Sequence, residues 1–209
     1  MRPDPDPPAA ALLRRDLARA GAGLLAAVVA PAAARGGTSA TGRGPHPARK
    51  RHRLRQWSFN IMDRLTIPDS GSADKYPSVL TVALPSPVAV KKVVVRFFDF
   101  AHTHPNDLTV TLWGPGGQDL VLMSRVGGST AATDLSFTLS DAGTPLTNAT
   151  VLQEGRAYRP AGGPSNLGKS PLATTFTGAP AAGDWFLYVH DDLPGDSGTL
   201  GGWGITFWA

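Results

Sequence analysis

Three aspartates crowd one short stretch near the C-terminus, Asp191-Asp192-Leu193-Pro194-Gly195-Asp196-Ser197-Gly198. Calcium takes six to eight oxygen ligands, often from loop carboxylates and backbone carbonyls. Asp191, Asp192 and Asp196 therefore form a candidate calcium site, with Asp107 and Asp99, near the end of another strand, as further ligands if the loops meet. The same letters also serve plain turn chemistry, in which Asp side chains accept hydrogen bonds from nearby backbone amides. His102 and His104 stand two apart, a spacing that places both on one face of an extended segment. With Asp107 they are a candidate zinc set, although zinc sites usually need a third or fourth protein ligand of this kind.

Gly195-Asp196-Ser197-Gly198 also has the form of a nucleophilic serine motif. Catalysis by such a serine needs a His base beside it, a buried Asp orienting that His, and an oxyanion hole. The chain has five histidines, His46, His52, His102, His104 and His190, and none lies in a sequence context that marks a catalytic base. A tight turn uses the same four residues, glycine for positive φ and Asp and Ser for local hydrogen bonds. The turn is the expectation, and no catalytic residue is assigned.

The elements that must carry these residues read as strands. In Gly183–His190, Trp185, Leu187 and Val189 share one face and Phe186, Tyr188 and His190 the other. In the last strand Trp203, Ile205 and Phe207 alternate with Gly204, Thr206 and Trp208. Further strands are expected at 79–83, 88–98, 108–113, 119–124, 134–139 and 173–176, making about eight, separated by turn signals such as Pro68-Asp69-Ser70-Gly71 and Gly114-Pro115-Gly116-Gly117. Short strands with frequent turns predict an all-β fold, a jelly-roll β-sandwich. The stretch from Gly143 to Leu172 has few apolar residues and reads as a surface excursion. Trp113, Trp185, Trp203 and Trp208 include candidates for a sugar-stacking platform, but most alternate with core positions and read as packing. Asn148-Ala149-Thr150 is a glycosylation sequon, meaningful only in a eukaryotic secretory route.

Composition sets the frame. The 209 residues hold one domain of ordinary size plus a tail, with 24 Gly, 19 Pro and no Cys. The missing cysteines exclude a disulfide scaffold, a thiol nucleophile and a Cys-ligated zinc site. The net charge of +4 averages two unlike parts: residues 1–56 carry eleven Arg/Lys against three Asp, and residues 57–209 carry nine against thirteen acids. The high isoelectric point belongs to the tail, so a nucleic-acid partner is not expected. Within that tail, Arg14, Arg15 and Arg19 precede the apolar run Leu24–Ala30 and then Pro31-Ala32-Ala33-Ala34. This is the order of a degenerate export signal over residues 1–34, too short to span a membrane. Residues 35–56 read as a basic Gly/Pro/Arg linker, so the N-terminal tail is expected to be disordered and the β-domain to occupy 57–209.

Three blocks then carry a resemblance. They are Ile67-Pro68-Asp69-Ser70-Gly71-Ser72 with Tyr76-Pro77-Ser78; His102-Thr103-His104-Pro105-Asn106-Asp107-Leu108 through Leu112, with Gly114–Gln118 and Leu120–Ser124; and Gly183-Asp184-Trp185 through Trp203 and Phe207. From Leu65 to Ala209 the chain resembles the P domain, or Homo B domain, of kexin- and furin-like proprotein convertases and of many bacterial secreted proteases. The resemblance implies a jelly roll that packs on a subtilisin-like catalytic domain and supports its folding, stability, calcium dependence and pH behaviour. It implies no catalytic residue of its own. The sequence has no Asp-Thr/Ser-Gly strand end, no His-Gly-Thr-His block and no Gly-Thr-Ser-Met-Ala helix start of the catalytic domain; its Asp-Ser-Gly triplets at 69–71 and 196–198 read as turns. The expected role is a secreted, non-enzymatic module for a protein partner, either a subtilisin-like protease or a cell-surface component. The alternatives are a calcium-assisted carbohydrate- or surface-binding module and a remnant of a truncated protease gene.

Overall fold

The computed structural model describes residues 54–161 and 171–209. The expected export signal and most of the basic linker lie outside the described residues. Among the described residues eleven strands form two sheets, with one short α-helix beside them. The first sheet runs β1 (Gln56–Ile61), β11 (Gly198–Trp208), β5 (Lys92–His102), β8 (Ala132–Pro145), β9 (Ala157–Arg159), with β2 (Leu65–Ile67) also on β11. The second runs β3 (Gly71–Ser72), β10 (Gly183–Asp191), β6 (Leu108–Trp113), β7 (Asp119–Ser124), with β4 (Ser78–Val82) also on β10. All pairings are antiparallel except β8 with β9. This is the jelly-roll sandwich that the alternation predicts.

Two-residue periodicity explains which side chains meet. Trp185, Leu187 and Val189 of β10 are buried and their alternates half-buried. Trp203, Ile205 and Phe207 of β11 face them from the first sheet, and Trp57 and Phe59 of β1 stack on Phe207 at centroid distances of 5.5 and 6.0 Å. Each fully buried large apolar side chain contributes about 1.5–3 kcal/mol by leaving water. The two deepest tryptophans also satisfy their indole N–H groups: Trp185 donates to the Ala181 carbonyl at 3.0 Å and Trp203 to Ser78 Oγ at 2.9 Å. They are core residues and not a sugar platform.

Alternation breaks in β5, and the break positions the site. In β5 the buried residues are Val93, Val95 and Phe97, then Phe100 and His102. Phe98 and Asp99 together oppose Ser136 of β8, a β-bulge in which Asp99 takes φ 49° and its N–H donates to Ser136 Oγ at 3.3 Å. β11 changes face in step, from Trp203 to Leu200, across Gly201 and Gly202. Without this shift His102 would point to solvent.

Two expectations need correction. Residues 173–176 are not a strand but the end of helix α1 (Pro171–Phe176). Pro171 presets the first turn, and the Asp141 carboxylate accepts from the Leu172 and Ala173 amides at 3.0 and 2.8 Å. Leu172 and Phe176, one turn apart, are both buried, and that packing overrides the strand preference of Thr174 and Thr175. The stretch 143–172 is not a plain surface excursion either. β8 runs on to Pro145, β9 adds to the first sheet, and Leu146, Leu152 and Tyr158 are buried. These three side chains anchor it. Residues 162–170 lie outside the described residues.

Candidate functional site

The connection between β5 and β6 and the turn between β10 and β11 meet at one end of the sandwich. The 3-10 turn Pro105–Asp107 follows β5 directly. Backbone bonds tie the two loops: the Thr103 N–H donates to the Ser197 carbonyl at 3.2 Å, and the Asp192 N–H to the Asp107 carbonyl at 2.9 Å. The Ser197 N–H donates to Thr103 Oγ1 at 3.2 Å. Gly198 is required by this approach, because a Cβ there would lie 2.2 Å from the Ala101 carbonyl oxygen and 2.4 Å from His102 Cδ2.

His102 and Asp191 form a pair with no side-chain exposure, Nε2 to Oδ2 at 3.0 Å. His102 Nδ1 accepts from the His104 backbone N–H at 3.2 Å. The proton therefore resides on Nε2 and is donated to Asp191, and the ring is neutral. The other Asp191 oxygen accepts from the Leu193 N–H at 3.0 Å. A buried carboxylate is tolerated because both oxygens are used. Both ring nitrogens of His102 are also committed, so it offers no lone pair to Ser197 as a general base. Gly195 has φ 113° and Ser197 is exposed, as a turn requires.

The five candidate calcium ligands are dispersed. Asp191 is held by His102 and Leu193. Asp192 Oδ2 accepts from Thr109 Oγ1 at 2.7 Å, and its Oδ1 lies 3.8 Å from His190 Nε2. Asp99 sits on the exposed bulge beside Gly201. Only Asp107 and Asp196 converge, and they do so with His104: one ligand atom from each lies within 4.8 Å of the others. Among the described residues this is the one group of three or more potential metal ligands. His104 Nδ1 is 2.8 Å from Asp107 Oδ2, with the Asp107 side chain 7% exposed and that of His104 33%. The candidate zinc set of His102, His104 and Asp107 is thus split, His102 facing the core and His104 the loops. Asp196 as the third member was not foreseen with His104; the only sequence signal was its place in the acidic turn.

A second surface lies on the outer face of the second sheet. Tyr76 packs edge-on against Tyr188 at 5.0 Å, and Trp113 lies 6.0 Å from Tyr188. Tyr76 and Trp113 are more than two-fifths exposed. Trp208, by contrast, is covered by Lys92 Nζ at 4.6 Å.

The profile of the proprotein convertase P-domain family matches residues 90–207. The chain belongs to this family. The matched span takes in both loops of the site and leaves β1 to β4 outside it. No curated protein sequence matches the chain. Among solved structures, the P-domain chain is similar to the serine protease of Aeromonas sobria. Against that protease in complex with its chaperone the identity is 16% and the TM-score 0.42; against the protease alone they are 16% and 0.40. Each similarity covers 75% of this chain and 27% of the protease chain, so the P-domain chain corresponds to about a quarter of those structures. Among the described residues no helix is long and apolar enough to cross a membrane.

Proposed function

We propose that this P-domain is a non-catalytic module that docks on the catalytic domain of a subtilisin-like serine protease and stabilises it. The observation that carries the reading is family membership over residues 90–207. The commitment of both His102 nitrogens agrees with it, since His102 has no lone pair with which to serve Ser197 as a base. The module acts outside the cell, delivered by the basic-then-apolar segment within residues 1–34. The test is surface plasmon resonance of the full chain against a panel of purified subtilisin-like catalytic domains, with the half-life of each protease at elevated temperature as a second readout. Saturable binding that lengthens the half-life is expected; no binding to any member of the panel defeats the reading.

The exposed aromatic cluster favours one other reading, a carbohydrate-binding face. Sugar rings stack on exposed aromatic side chains, and Tyr76, Trp113 and Tyr188 are grouped on one sheet face. Retention of the chain on an insoluble polysaccharide, lost in Trp113→Ala, would establish it; equal retention of wild type and variant would remove it.

A further inference from the structure

We infer that His104, Asp107 and Asp196 form a site for a divalent transition metal of the zinc class, with water completing the coordination. The inference does not depend on the protease-docking reading. One imidazole and two carboxylates within 4.8 Å of one another are the donor set of an open zinc site, in which three protein ligands leave one position for water. The imidazole also argues against calcium. Calcium needs six to eight oxygens, whereas two carboxylates and a nitrogen converge here; Asp191 and Asp192 are engaged elsewhere, and Asp99 lies on the exposed bulge. Two further facts mark the position. Among the described residues no Lys or Arg forms an ion pair with Asp107 or Asp196. In the same turn, the Asn106 side-chain oxygen is buried without a hydrogen-bond partner.

The scaffold is built before any ion arrives. Thr103 and Ser197, each next to a member of the group in sequence, lock the two loops through three hydrogen bonds. Asp69 accepts from the Gly195 N–H next to Asp196. Asp107 is fixed by burial and by its carbonyl bond from Asp192. A tetrahedron with bonds of about 2.1 Å has edges near 3.4 Å, so the widest separation must close by roughly an ångström. Half-buried Asp196 can supply that movement by a side-chain rotation. The metal replaces the proton between His104 Nδ1 and Asp107 Oδ2, and this pair opens by about 0.6 Å through rotation of the partly exposed His104 side chain.

The full chain, stripped with chelator, is titrated with zinc chloride and followed by calorimetric melting, alongside calcium chloride and the variants Asp196→Asn and His104→Gln. Both substitutions fall on partly exposed side chains, so the variants fold. Zinc at about a hundredfold over its Kd raises Tm by on the order of 5 °C in wild type. Each variant loses most of that shift. An equal zinc shift in the variants, which would place the metal on other residues such as His46 and His52, overturns the proposal. So does a calcium shift as large as that of zinc, or no zinc shift in wild type.

Discussion

His102 and His104 are separated by one residue and occupy different chemistry. His102 is enclosed, neutral and bonded at both nitrogens. His104 is partly exposed and lies within 4.8 Å of two loop carboxylates. The difference comes from the strand end: β5 stops at His102, and the 3-10 turn that follows carries His104 away from the core and toward Asp196. A buried imidazole–carboxylate pair fixes the loops, and the half-exposed group beside it is left free to take a ligand.

Substitutions can break that contrast. The largest effect is expected at the enclosed pair. Asp191→Ala leaves the buried His102 Nε2–H without an acceptor and also removes the acceptor of the Leu193 N–H, which should cost about 1–3 kcal/mol for each donor, read from denaturant unfolding. His104→Ala, without metal, should cost less than about 1 kcal/mol in the same assay. Equal costs would erase the distinction. Next comes Gly198→Ala, where a methyl group meets the Ala101 carbonyl and the His102 ring. It should destabilise by about 1–3 kcal/mol and weaken any zinc response by moving the turn that carries Asp196. The smallest effect is Ser197→Ala. On an exposed turn it should change stability by less than about 0.5 kcal/mol and change no activity; loss of a hydrolytic activity in that variant would reopen the nucleophile reading.

Much of the architecture was written in the alternation. β4, β6 and β10 fall where buried and less buried residues take turns, because a strand with one face on a core leaves that signature. α1 was hidden because six residues with two adjacent threonines mimic a strand, and its capping carboxylate comes from Asp141 in a distant part of the chain. β1, β2, β3 and β9 were not read from the sequence: β2, β3 and β9 are too short for any period to show, and β1 lies at the edge of the basic tail. At the site, the clustering of aspartates in one turn was legible. Which of them converge was not, since that depends on how two loops approach. Asp191 and Asp192 are neighbours in sequence, yet one points into the core and the other to Thr109, as the pleat dictates.

The face change shared by β5 and β11 ties their lengths together. Phe98 lies opposite Gly202 and Phe100 opposite Leu200, so the two strands cross their irregularity side by side while β8 does not follow. Losing one residue from β5 alone would set the stretch through His102 and His104 out of step with the turn bearing Asp196. Losing one from β11 alone would do the same in the opposite direction. In genetic terms the two positions are a suppressor pair. Either deletion by itself should scatter the loop chemistry, and the two together should bring it back into register.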